Sequence, residues 1–151
     1  MGDLSWDSFE PAEDQFDSAW FDRILDEMHA ANIKVILDIG GLPAPIWSHH
    51  KYPSVNVVNQ DGIMLHPAER YMVNIADPIY RAHAIHFADE LTKHYAHNPA
   101  LAAISYDNEI GSGFLSYSTG DCQRFIAWLK KIFHYRQRSI ERGQRSAGRA
   151  I

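Results

Sequence analysis

The chain places Asp107, Asn108 and Glu109 in a row at the end of an apolar run, Ala102-Ala103-Ile104 with Tyr106, and Gly111 and Gly113 follow at once. Two carboxyl groups and an amide can give, take and hold protons, and the glycines free the backbone to turn. Two arrangements produce such a run: an edge strand ending in solvent, or an active site at the end of a buried strand. Asp38 closes a second apolar run, "IKVILD", so a carboxylate recurs at the same kind of position.

Other reactive side chains carry weaker signals. The nine histidines are scattered. His83 and His86 are spaced to chelate on a helix, and His49 and His50 are adjacent, but isolated pairs of this kind are ordinarily surface residues. Trp47 suits either a sugar-stacking platform or loop packing, and packing is the expectation. Cys122 is the single cysteine, so no internal disulfide can form. It falls on an apolar helical stripe and is expected to be a buried, inert thiol.

These residues are positioned by alternating strands and helices. Residues 4–6 read as the end of a short strand. Asp17 is a fair N-cap for a helix through about Ala31, whose Phe21, Ile24, Leu25 and Met28 fall on one stripe. Asn32 ends it. "IKVILDI" is a continuous apolar run and reads as a strand buried on both faces. A long segment from Gly40 to about Ala76 follows, with a small hairpin expected around "VVNQDGIML", where Asp61-Gly62 suits the turn. Its aromatics (Trp47, Tyr52, Tyr71) argue against disorder. Asp77-Pro78 combines an N-cap with a first-turn proline and starts the next helix, on which Ile79, Ala84, Phe87, Leu91 and Tyr95 can share a buried side. The strand 101–107 comes next, then a glycine-rich loop. A last helix is expected from about Thr119 to Phe133, with Cys122, Phe125, Ile126, Leu129 and Phe133 as its stripe.

This alternation implies a parallel α/β sheet with right-handed crossovers. An open doubly wound sheet and a (β/α)8 barrel both fit. No G-x-G-x-x-G phosphate loop follows a strand, whereas polar residues sit at strand C-terminal ends, where barrel enzymes keep their chemistry. About three strands fall far short of a barrel of ~250 residues, so the expectation is a fragment of a barrel.

Bulk composition narrows the class. Of 151 residues, 46% are hydrophobic and 22% charged, which suits a globular protein of one domain. The net charge is −5, and no nucleic-acid partner is expected. No apolar run approaches the ~18 residues of a membrane helix, and the acidic N-terminus lacks an apolar leader core, so the expected setting is cytoplasmic. Charge is unevenly spread. Residues 134–151 hold five arginines and one glutamate, a net of +4, against −9 for residues 1–133.

The ordered pieces "LSWDSFEPAEDQFD", "WFDRILDEMHAANIKVIL", "GGLPAPIW" with "KYP", "NIADPIYR", "HYAHNPALAAISYDNEIG" and "FIAWLKKIF" together resemble glycoside hydrolase family 42, the β-galactosidases. The resemblance covers about residues 4–133. It implies a fold, a fragment of a (β/α)8 TIM barrel comprising about strands two to four with their helices. Residues 1–133 would be the partial catalytic domain and residues 134–151 a basic tail. The tail is open to two accounts: non-native, disordered sequence, or a solvated helical extension.

The resemblance also implies an activity, retaining hydrolysis of terminal β-galactosides. Glu109 would be the general acid/base. Asn108 would hydrogen-bond the sugar, and Arg70, 38 residues before it, would be a second substrate-binding residue. The nucleophile belongs to a later strand that this chain lacks. Intact relatives are expected to be homo-oligomers. No cofactor is expected. Many members hold zinc through cysteines in the loop after Asn-Glu, but here "SGFLSYSTGDC" retains only Cys122, so no metal is expected. A non-catalytic, degenerate barrel fragment and a different retaining glycosidase of the same clan are the alternative readings.

Overall fold

A computed structural model describes residues 6–39, 42–67, 72–106 and 115–147, the last of these by backbone alone beyond residue 134. The chain divides into two compact units, residues 1–116 and 117–151.

The first unit opens with α1, Trp6–Phe9. The strand end expected here is a helical turn instead. Trp6 and Phe9 stand three apart and are both buried, and the Glu10 amide donates to the Trp6 carbonyl at 2.7 Å. A window this short cannot distinguish the two periods; contact with a later helix decides it. The Trp6 ring stacks on Phe87, with centroids 4.7 Å apart. Phe9 meets Phe16, Phe21, Phe87 and Tyr95.

Helix α2, Ala19–Ala30, follows. The N-cap is Ser18 rather than the expected Asp17, and its side chain makes no capping bond; the Asp17 carboxylate accepts from the Ala19 amide at 3.0 Å. The helix stops where expected. Asn32 takes a positive φ of 56°, its amide donates to the His29 carbonyl, and the Ile33 amide reaches back to Met28 at 2.8 Å. This is the double hydrogen bond of a Schellman end, with asparagine tolerating the left-handed position.

Strand β1, Val35–Asp38, pairs in parallel with β2, Leu101–Ser105. Between them come α3, Ile46–Lys51, and α4, Pro78–Tyr95. The segment expected to be irregular thus contains α3 and a 3₁₀ turn, Pro53–Val55. The expected hairpin forms. Val58 bridges Met64, the Asn59 amide donates to the Ile63 carbonyl, and Gly62 supplies the φ of 78° that closes the turn. The Asp77 carboxylate caps α4, accepting from the amides of Ile79 at 2.9 Å and Tyr80 at 3.1 Å.

The core lies on one side of the sheet. Val35 and Leu37 pack with Leu25 of α2, Phe87, Leu91 and Tyr95 of α4, and the α1 aromatics. The other face is bare: Ile36 is 60% exposed, while Val35 and Leu37 are 6% and 7% exposed. The expectation of burial on both faces is therefore corrected. Helices cover one face of β1, and among the described residues nothing covers the other. On β2, Ala102, Ala103 and Ile104 are all exposed, so neither of its faces is closed.

The second unit contains α5, Thr119–Ala147. Its first turn is capped by Ser118, whose Oγ accepts from the Asp121 amide at 3.1 Å. The helix passes the end expected near Phe133 and continues into the arginine-rich segment, where Arg, Gln, Glu and Ala are good helix formers. Its apolar stripe is corrected too. Phe125, Ile126 and Phe133 are exposed, and so is Cys122. Among the described residues of its unit, no other element faces the helix, so its stripe has nothing to be buried against.

The asymmetry of β1 sets an expected outcome. Leu37→Ala should destabilise the chain by about 2–5 kcal/mol, as for a buried leucine. Ile36→Thr should change stability by no more than about 0.5 kcal/mol. Urea denaturation of both variants checks this, and equal losses would contradict one-sided burial.

Candidate active site

Parallel pairing sends the C-terminal ends of β1 and β2 the same way, with Asp38 in register with Ser105. The ladder holds to its end, since the Ile39 amide donates to the Ser105 carbonyl at 3.0 Å. Residues 107–109 follow two positions later, past Tyr106, which is 81% exposed. Arg70, Asn108 and Glu109 themselves lie outside the described residues, as does Asp107.

The segments flanking these residues are described, and they converge. Leu65, on the hairpin that leads toward Arg70, donates its amide to Val57 at 2.8 Å. On the far side of Arg70, Val73 is buried and the Asn74 amide donates to Val55 at 2.8 Å. The loop beyond Glu109 returns at Ser116, whose Oγ accepts from the Val58 amide at 3.3 Å. Thus the hairpin before Arg70 and the chain after Glu109 are tied together, although 58 residues separate Val58 from Ser116.

A polar network links the segment after α1 to α3 and α4. Glu10 is buried. Trp6 Nε1 donates to its Oε2 at 2.6 Å, and the Asp14 amide donates to its Oε1 at 2.9 Å. Trp47 Nε1 donates to the Glu10 carbonyl at 2.9 Å, and its ring meets His83 edge-on at 5.3 Å. Trp47 is therefore a packing residue, as expected. Glu13 accepts from Tyr52 at 2.6 Å, pairs with Lys51, and lies 3.7 Å from His83. His86 lies 3.3 Å from Asp14.

The surface expectation for the histidine pairs is corrected at His49, which is buried. Its Nδ1 lies 2.8 Å from Asn56 Oδ1, while Asn56 Nδ2 donates to the His49 carbonyl at 3.2 Å. Burial pushes the His49 imidazole below its ordinary value, and neighbouring His50 adds to this. Together they outweigh the Asn56 hydrogen bond and the Asp7 charge. No sequence pattern marked its burial, which depends on α3 folding onto the chain at Asn56.

Zinc does not fit the described residues. Ser118, in the segment where many members of the resembled family place cysteines, donates its hydroxyl to Asp121 at 2.5 Å, and the Cys122 thiol faces the Tyr117 carbonyl. Among the described residues no group of three or more His, Cys, Asp or Glu is arranged to hold a metal ion. No helix among them is long and apolar enough to cross a membrane.

A parallel α/β unit with polar residues at its strand C-terminal ends defines the general class. The family profile of glycoside hydrolase family 42, described as β-galactosidase, matches residues 1–145, and the chain belongs to that family. The match extends twelve residues beyond the resemblance seen in the sequence pieces. A β-galactosidase from Arthrobacter sp. is 33% identical over 88% of the chain and 19% of its own length. Another from Clostridium perfringens is 35% identical over 72% of the chain and 16% of its own length. Among solved structures, the cold-adapted β-galactosidase of Rahnella sp. R3 superposes with a TM-score of 0.78 at 30% identity, over 87% of the chain and 19% of that structure. A catalytic mutant of a family 42 β-galactosidase from G. stearothermophilus superposes with a TM-score of 0.80 at 27% identity, over 89% of the chain and 19% of that structure. The chain spans about a fifth of the length of these relatives.

His49 yields a pH dependence. Its lowered folded value means the fold favours the neutral imidazole. The associated stability is complete above the unfolded value of ~6.5 and is lost as pH falls below it, because the unfolded chain takes the proton first. Between about pH 7.5 and 5, the wild-type chain should lose more urea stability than His49→Gln. Parallel curves for the two would contradict it.

Proposed function

We propose that this chain carries part of the active site of a retaining β-galactosidase, built on about strands two to four of a (β/α)8 barrel. The observation that carries this reading is the parallel register of β1 and β2 in a chain of this family. Both strands end on the side toward which the Asp-Asn-Glu run continues. The bare sheet face suits a barrel lumen, which strands from around the whole ring fill together.

Retaining hydrolysis needs two carboxyl groups about 5–5.5 Å apart. Glu109 protonates the glycosidic oxygen as the bond to the leaving group breaks. A second carboxylate, on a later strand, attacks the anomeric carbon to form a glycosyl-enzyme. Glu109 then takes a proton from water, which releases the sugar. Asn108 hydrogen-bonds the sugar 2-hydroxyl, a contact that strengthens as positive charge develops on the ring. Arg70 brings a fixed fork of donors to hydroxyls or to a carboxylate.

The exposed face of the sheet favours a second reading for the 151-residue chain by itself: it is non-catalytic. General acid catalysis alone supplies about 10²–10⁴-fold, against 10⁶ or more for whole enzymes. A chromogenic β-galactoside should therefore show no turnover above a Glu109→Gln control. Clear turnover would mean that a second carboxylate within the chain completes the site. In the ¹⁵N-labelled chain, D-galactose should shift the amides of Arg70, Asn108 and Glu109 together. If these three amides stay unmoved, their assigned roles fail.

A further inference from the structure

The exposed face of α5 is continuous and regular. Phe125, Ile126, Ile132 and Phe133 are each between 39% and 63% exposed, and Leu129 is half-buried among them. Their spacing, 125, 129 and 132 with 126 and 133 beside them, puts all five on one stripe of the helix. Trp128 is exposed too, and it stacks on Phe125 with ring centroids 6.0 Å apart, which widens the stripe. Single exposed apolar side chains are ordinary. Six on one helix face mark a surface that takes a partner.

Charge decides which partner. Residues 117–151 hold eight basic and two acidic residues, a net of +6, whereas residues 1–116 hold six basic and 17 acidic residues, a net of −11. An anionic lipid surface would attract the helix but repel the acidic unit joined to it. The bare sheet face sets Ile36 beside Ala103, too little apolar surface for six large side chains. A second copy of the chain supplies both an equal stripe and the opposite charge. Two α5 helices running the same way would bring their arginine-rich ends together. Running opposite ways, each arginine-rich end extends toward the start of the other helix, where that copy's acidic unit joins.

We propose that the chain forms a two-fold symmetric dimer through its α5 helices, packed antiparallel. The contact is isologous, since each stripe meets its own copy. With the pair centred on Ala127, Phe125 meets the partner's Leu129 and Cys122 meets the partner's Ile132, so these layers, repeated by symmetry, are apolar. The proposal goes beyond the site reading above and does not rest on it.

The test is sedimentation of the 151-residue chain over a concentration series, on wild type, Phe125→Gln and Leu129→Asp. The wild-type chain should dimerise. Phe125→Gln should raise the dissociation constant about tenfold or more, as for a truncated interfacial aromatic, and Leu129→Asp should leave a monomer. Phe125 is exposed and glutamine is a good helix former, so that variant keeps the test decisive should Leu129→Asp lose its helix. Cys122, exposed and the single cysteine, reports the direction of packing. In Ile132→Cys, oxidation should join Cys122 of one copy to position 132 of the other, as read by peptide mass mapping. Within one helix those positions are about 15 Å apart, too far for a bridge. A monomer at every concentration overturns the proposal, as does a dimer of unchanged affinity in both sedimentation variants. A dimer joined only between the two copies of Cys122 overturns it too, because that is the parallel pairing.

Discussion

One-sided burial of β1, paired in parallel with β2, is the constraint on which the first unit depends. Parallel strands cannot be joined by a tight turn. They need a crossover, and here it carries α3, the hairpin and α4. Helix α4 returns the chain to the start of β2 and brings Phe87, Leu91 and Tyr95 against Val35 and Leu37. Burying side chains of this size contributes roughly 1.5–3 kcal/mol each. The aromatic contacts of Trp6 and Phe9 extend the same core to α1, so the first described turn of the chain and its later crossover helix stabilise each other.

Glu10 is the polar counterpart of that core. A buried carboxylate is costly unless its oxygens are hydrogen-bonded. Both are: one to the Trp6 indole and one to the Asp14 amide, while the Glu10 carbonyl receives the Trp47 indole. Two segments, Trp6–Asp14 and the one that carries Trp47, are fixed around one residue. Asp7 adds to this by accepting from the Ile46 amide at 3.0 Å at the start of α3. The segment that follows α1 and the start of α3 are therefore anchored to each other.

A carboxylate at the end of a preset ladder needs no loop to position it, and Asp38 is placed in that way. The family resemblance implies Arg70, Asn108 and Glu109, which lie outside the described residues; the described segments on either side of them are tied by hydrogen bonds at Val55, Val57 and Val58.

The sequence by itself determined the features that act over a few residues. The Asp77-Pro78 helix start, the Asn32 helix stop and the Asp61-Gly62 turn are local, and each formed as read; on the α2 stripe Phe21, Leu25 and Met28 pack into the core. The order of elements implied parallel strands, and these formed as well. The family pattern named Arg70, Asn108 and Glu109, whereas physical reading alone singled out only the acidic run at strand's end. Tertiary structure decided what depends on a distant partner. It made α1 helical through Phe87, buried His49 against Asn56, left Ile36 bare, and exposed Cys122 with the α5 stripe. It also set the register that puts Asp38 beside Ser105. An apolar run states that a face can be buried; only the presence of a facing element determines that it is.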